Sequence, residues 1–298
     1  MKIEVVTFAQ TGMEDFCEIL FQSLEKNRSN DHEIIYKCFT PESNFKLNNF
    51  QMIYQDVGRN RNRNKRHTKM IQRVINDSVD DILMLIDCDT AVFYKGWDNL
   101  IVDKLKLCGM FGVDFGGHRK AFEKFPCQIC IAMNKNIVES FKNTDIFASK
   151  IKTESLTDLS DVEDICEKDI DFHFFDSGSS KLRRLCIDNV ILQKIYNKEL
   201  GSFICCDTSW KLPLYAYKNN VKFDYMSDDK NGEFNAYLRK NFGRHIGFPE
   251  YKYNNKTFLV HFTKCSDQQK LLGDHYKKWI EASFKYLNQE SEPNDIKT

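Results

Sequence analysis

The chain has 298 residues, of which 42% are hydrophobic, and its 43 basic and 43 acidic side chains leave a formal net charge of zero. This length suits one large α/β domain, or one domain with a smaller appendage, and the apolar fraction is enough for a substantial core. Because the charges balance, bulk electrostatics gives no reason to expect a nucleic-acid partner or an anionic membrane surface.

The N-terminal residues and the cysteines bear on the cellular compartment. Residues 1–7 carry one lysine and a short apolar stretch that Glu4 interrupts, which is too short and too charged for a signal peptide. No apolar run approaches the roughly 20 residues that span a bilayer. The eleven cysteines form no disulfide framework, and the Cys127–Cys130 pair lacks a second pair of ligands at zinc spacing. We therefore expect a cytoplasmic protein without a transmembrane segment.

The first ninety residues alternate between strand and helix patterns. We predict strands at 3–8, 32–38 and 50–54 and a helix at 13–26. A basic loop at 59–67 precedes a helix at 68–79, which places Ile71, Ile75 and Val79 on one face. The strand at 82–86 is apolar throughout, as expected of a parallel strand covered on both faces. Such alternation predicts an α/β fold with a mostly parallel central sheet flanked by helices.

The rest of the chain predicts an α+β elaboration of that sheet. Apolar stretches indicate strands at 110–115, 128–133, 221–226 and 258–262, and helical spacing indicates helices at 185–196 and 271–287. The polar stretch 150–171 is typical of a surface excursion, and residues 288–298 of a frayed tail.

The segment that carries chemistry is the pair of carboxylates directly after the apolar strand at 82–86. Asp87 and Asp89 are two residues apart, so on an extended chain their side chains point the same way. Ligands of open α/β sheets bind beyond the carboxyl ends of the strands, where this pair falls. Oxygen ligands suit Mg²⁺ or Mn²⁺, which commonly complete their shell with substrate phosphates. The pattern therefore predicts a metal site, whereas an acidic surface loop is the simpler alternative.

These residues resemble a known family. Residues 82–89 look like the Asp-x-Asp strand of GT-A glycosyltransferases of the family 2-like kind, and the order of strands and helices over residues 1–135, with a helix beginning at His67, resembles theirs. The resemblance implies one domain over 1–287, with a nucleotide-sugar half at 1–135 and an acceptor half at 136–287. It also implies transfer of a sugar from a nucleoside diphosphate sugar to a saccharide or a lipid-linked glycan.

The same resemblance implies roles for further residues. A histidine near the C-terminus often completes the metal site of such enzymes, and His261 is placed for that role at the end of a strand. A histidine ligand would favour Mn²⁺ over Mg²⁺. Thr7 and Phe8, at the end of the first strand, would lie near the nucleobase, and Asp87 would also face the donor.

The basic run also has three interpretations. Arg66, His67 and Lys69 stand beside the expected start of the second helix, where helix amides favour phosphate, so they are candidates for donor binding. The alternatives are a solvated loop and a nuclear-localisation or nucleic-acid patch, although the alternation of arginine and asparagine lacks aromatic residues for base stacking.

An inverting transferase also needs a carboxylate base. Asp176, in a turn after aromatic residues, is the first candidate and Asp188 the second, although Asp188 also suits the first turn of a helix. A retaining enzyme would need no such base.

Three other functions remain open at this point. Asp87 and Asp89 would also serve a phosphatase of the haloacid-dehalogenase type or a nucleotidyltransferase. A degenerate GT-A-fold protein would bind without catalysis. Metal-dependent activity on a nucleotide-sugar separates the transferase from all three.

Overall fold

The structure is a computed structural model that describes residues 1–56, 63–114, 125–144, 146–147, 150–152, 173–174, 185–186, 203–205, 211–229, 232–242, 248–262 and 274–289. The strands in these residues are β1 (Lys2–Phe8), β2 (Glu33–Thr40), β3 (Gln51–Tyr54), β4 (Ile82–Ile86), β5 (Thr90–Val92), β6 (Met110–Val113), β7 (Cys130–Asn134), β8 (Lys150–Lys152), β9 (His173–Phe174), β10 (Leu185–Cys186), β11 (Phe203–Cys205), β12 (Phe223–Met226), β13 (Glu250–Tyr253) and β14 (Lys256–His261). The helices are α1 (Glu14–Asn27), α2 (Arg63–Asp77), α3 (Trp97–Leu107), α4 (Lys135–Phe141), α5 (Lys211–Lys218), α6 (Glu233–Phe242) and α7 (Asp274–Gln289).

Seven strands form the main sheet, in the order β12-β6-β7-β4-β1-β2-β3. The sheet is mostly parallel and helices flank it, so the predicted α/β class is confirmed. β1 pairs in parallel with β2, and β2 with β3, whereas β6 and β7 are antiparallel. β4 is buried at every residue, in agreement with its uninterrupted apolar sequence.

The chain divides into two compact units. The first contains Met1–Asp56, Met84–Lys104 and Met226–Thr298, and the second contains Val57–Leu83 and Leu105–Tyr225. In the first unit, α1 buries one face at the helical spacing that its sequence predicts. The residues on that face are Phe16, Ile19, Leu20 and Leu24. A three-stranded antiparallel sheet of β13, β14 and β5 belongs to the same unit.

The second unit contains α2, and this helix differs from the prediction at both ends. It begins at Arg63, five residues before the predicted start, because lysine and arginine are good helix formers and the basic run continues the helix. It ends at Asp77, so Val79 lies outside it and is 69% exposed, whereas Ile71 and Ile75 are buried as predicted.

Several strands have no counterpart in the prediction, and two of them, β10 and β8, lie where the sequence indicated another structure. Leu185 and Cys186 form β10, paired antiparallel with β9, so the predicted helix at 185–196 is wrong at its first two residues, and residues 187–196 lie outside the described part. The first residues of the expected surface excursion form β8, paired with β11. In both places pairing with another strand determines the local conformation, and the spacing of apolar residues within one segment does not show such a partner.

None of the helices in the described ranges combines the length and the apolar character that a membrane crossing requires.

Candidate metal centre

The chain turns sharply where β4 ends. Cys88 and Asp89 form a turn, in which the Thr90 hydroxyl donates a hydrogen bond to the carbonyl of Asp87 at 2.7 Å. The Cys88 side chain is buried in the core, and its sulfur lies 3.9 Å from that of Met13. The carboxylates on either side of it converge, as the spacing predicted, but a turn produces the convergence and not an extended strand.

Strand pairing brings His261 to this turn. β14 runs antiparallel to β5, with His261 opposite Thr90. The ladder continues past the strand end, because the backbone N–H of Phe262 donates to the carbonyl of Asp89 at 2.7 Å. On its other side, the backbone N–H of His261 donates to the carbonyl of Pro249 at 3.0 Å. The register of β14 against β5 therefore fixes the backbone of the histidine beside the carboxylates.

The three side chains converge on one point. The Nε2 atom of His261 lies 3.3 Å from Oδ1 of Asp89 and 3.6 Å from Oδ2 of Asp87. One ligand atom from each residue lies within 4.8 Å of the other two, and among the described residues this is the convergent group of potential metal ligands. The side chains of His261 and Asp89 are 6% and 10% exposed, whereas that of Asp87 is 29% exposed and forms the open side of the group.

The donor set fits a divalent cation. Two carboxylates and a neutral imidazole carry a charge of about −2, which a divalent ion balances. Adjacent ligands of an octahedral ion with bonds of about 2.1 Å lie about 3 Å apart, close to the distances between these atoms. A protonated His261 paired with both carboxylates would satisfy the same distances, so metal binding follows as a proposal.

Thr7 and Phe8 occupy the last two positions of β1, in the first unit. Thr7 is fully buried, whereas Phe8 keeps part of its ring exposed and lies 6.2 Å from the ring of Phe39. Phe8 is therefore the member of this pair that a ligand can reach without rearrangement.

Arg66, His67 and Lys69 all lie on α2, in the second unit. The prediction that the helix begins at His67 is wrong, because its first turn starts at Arg63. Only the first four N–H groups of a helix lack intrahelical acceptors, so Arg66 closes the first turn and the other two residues lie in the second. Burial lowers the pKa of His67 to about 4, so its imidazole is neutral at pH 7, while Lys69 is exposed.

The two candidate bases, Asp176 and Asp188, lie outside the described residues. Sequence reasoning missed the residues that hold the backbone around the three candidate ligands, namely Thr90, Pro249 and Phe262. The position of Phe262 directly after His261 was the one sequence signal for its role. Its backbone hydrogen bond to Asp89 depends on strand pairing, which the spacing of residues along the chain does not reveal.

No family model and no curated protein matches the chain. Among solved structures, the crystal structure of an active-site mutant of LgtC matches with 14% sequence identity and a TM-score of 0.35. The match covers 56% of this chain and 65% of the LgtC chain. A similarity at this level assigns neither a family nor an activity, so function is inferred from the site.

Proposed function

We propose that the protein is a metal-dependent glycosyltransferase of the GT-A type that moves a sugar from a nucleoside diphosphate sugar to a saccharide or a lipid-linked glycan. The observation that carries the proposal is the convergence of Asp87, Asp89 and His261 at the end of a buried strand of an α/β sheet. In such sheets the ends of the strands are the usual place for a nucleotide ligand.

Three protein ligands leave about half of an octahedral shell for water and substrate oxygens, which is typical of ions that bind phosphates. The exposed edge at Asp87 faces solvent, so the diphosphate of the donor would approach from that side. The imidazole favours Mn²⁺ and leaves Mg²⁺ as the alternative. When bound, the ion would neutralise charge on the departing nucleoside diphosphate.

The protein residues have separate tasks in this proposal. Asp89 and His261 are nearly buried, so they hold the centre in place, while Asp87 contributes charge at the open edge. Phe8, which belongs to the same unit as the three candidate ligands, would pack against the nucleobase. Phosphate contacts by Arg66 and Lys69 stay a prediction from the family resemblance. Neutral His67 would offer a hydrogen bond and no charge.

The base and the compartment complete the proposal. Asp176 is the first choice for the base that takes the proton from the acceptor hydroxyl, and Asp188 the second. A cytoplasmic location is favoured by the cysteine pattern of the sequence, since its eleven cysteines show no disulfide framework of the kind that secreted domains carry.

The test is release of nucleoside diphosphate from a panel of nucleotide-sugars, with Mn²⁺, with Mg²⁺ and with a chelator. The proposal expects metal-dependent release from one nucleotide family, and loss of release in Asp87→Asn and Asp89→Asn variants that stay folded. Phosphate release from phosphate monoesters would indicate a phosphatase instead, and pyrophosphate release from a nucleoside triphosphate a nucleotidyltransferase. Metal-dependent binding without turnover would indicate a degenerate binding protein.

A further inference from the structure

Phe262 connects two of the three candidate metal ligands. It follows His261 in the chain, so the two share a peptide bond. Its backbone N–H also donates to the carbonyl of Asp89 at 2.7 Å. Any displacement of the Phe262 backbone therefore moves His261 directly and changes the hydrogen bond that holds the Asp89 backbone.

The ring of Phe262 is held by three other aromatic rings. Its side chain is 1% exposed. Its centroid lies 5.0 Å from that of Trp279, 5.0 Å from that of Phe248 and 5.5 Å from that of Phe16. These separations are those of favourable aromatic pairs.

The partner rings come from three parts of the first unit. Phe16 lies on α1, Phe248 precedes β13, and Trp279 lies on α7. Trp279 also contacts both other rings, at 5.3 Å from Phe16 and 6.3 Å from Phe248. Protein interiors are close-packed, so replacing Trp279 with a smaller side chain leaves Phe262 without its support on that side.

We propose that Phe262, held in place by Trp279 of α7, is a positioning residue of the metal centre, so that packing against this helix controls metal affinity. Groups that orient metal ligands change metal affinity by roughly 10–100-fold when they are mutated. This inference rests on the metal site of the proposed function.

The experiment measures Mn²⁺ affinity of the full chain from the electron paramagnetic resonance signal of free Mn²⁺. Phe262→Leu and Trp279→Leu are each expected to weaken binding at least about tenfold. Trp279→Phe keeps an aromatic ring against Phe262, so this variant is expected to bind Mn²⁺ with an affinity close to that of the wild type.

Phe50→Leu is the matched control. Phe50 is also buried, at 7% exposure, and its ring packs against those of Phe21 and Tyr36 at 5.8 and 6.1 Å. The substitution removes the same atoms from the same unit, so it should lower the melting temperature and leave Mn²⁺ affinity unchanged.

The outcomes separate the two proposals. A wild-type chain that does not bind Mn²⁺ overturns the metal site and this inference with it. If the wild type binds and His261→Ala does not, unchanged affinity in Phe262→Leu and Trp279→Leu overturns the positioning role alone. An equal loss in Phe50→Leu overturns it too, because general destabilisation would then explain the effect. If Phe262→Leu does not fold, the two Trp279 variants decide the question.

Discussion

Three consecutive residues at the end of β4 have different tasks. Cys88 packs into the core, while Asp87 and Asp89 converge with His261. Two carboxylates this close repel each other, and a divalent ion or a protonated histidine relieves that repulsion. The proposed function assigns this task to the divalent ion.

Asp89→Asn keeps the shape of the side chain and removes its charge. If a metal ion is the natural occupant, the change should weaken Mn²⁺ binding strongly. The loss should exceed the roughly 10–100-fold that is typical when a residue that only orients the ligands is mutated. Without metal, stability should be unchanged or slightly higher, because one of two repelling charges is gone. Thermal melts with and without Mn²⁺ measure both effects. A large loss of metal-free stability would instead indicate a structural ion pair with protonated His261.

His67 makes a prediction about pH. Its folded-state pKa of about 4 lies below the unfolded value of about 6.5, because burial disfavours the charged ring. The unfolded chain therefore takes up a proton first, and stability contributed by neutral His67 is lost as the pH falls from about 6.5 to about 4. The side chain keeps some exposure, so we expect a shallower slope than full burial would give.

The matched variant is His67→Gln, which cannot titrate in that range. Urea unfolding at pH 7 and pH 5 should show a smaller loss of stability in His67→Gln than in the wild type. The same loss in both proteins would show that His67 already titrates normally in the folded state.

At the scale of elements, the first turn of α6 donates hydrogen bonds to a buried carboxylate. Glu250 of β13 is fully buried and accepts hydrogen bonds from the backbone N–H groups of Phe234 and Asn235 and from the hydroxyl of Thr257. The first two are N–H groups at the start of the helix, where a negative charge is favourable. Gly232 lies directly against the same carboxylate, since a Cβ there would be 1.9 Å from its carboxyl carbon.

Gly232→Ala should therefore be strongly destabilising, by about 3 kcal/mol, because either the helix start or the Glu250 carboxylate must move. Gly96→Ala is the comparison: Gly96 has a φ of 74°, and a Cβ added there would meet no other part of the chain within 4 Å. It should cost only the ~1–2 kcal/mol of a left-handed residue. The urea midpoints of the two variants show which one loses more stability. An equal or smaller loss of stability in Gly232→Ala would contradict the tight contact between Gly232 and Glu250.

The elements that could be predicted are those whose signal is local. β4 was visible as an apolar run and α1 as a helical stripe, and both formed where expected. β10 was not visible in the sequence, since its apolar spacing also fits a helix. Only its pairing with β9 determines that the segment is a strand. The start of α2 was misplaced because a basic run is compatible with both a loop and a helix.

At the scale of the whole molecule, the site depends on contacts between distant parts of the sequence. Spacing alone indicated Asp87 and Asp89, because both follow one strand. His261 was indicated only through a family resemblance, and the physical reason for its position is the register of β14 against β5. The aromatic support around Phe262 could not be predicted, since it joins residues from three separate parts of the sequence.

The most direct test of the account is a thermal-shift screen of nucleoside diphosphates and nucleotide-sugars, with and without Mn²⁺, on the wild type and on Asp87→Asn. A ligand at about 100 times its Kd stabilises the native state by ~2.7 kcal/mol, which is readily measured as a rise in melting temperature. The account predicts a rise with one nucleotide family that requires Mn²⁺ and is lost in the variant. A rise that is independent of Mn²⁺ and of Asp87, or no rise with any nucleotide, would contradict it.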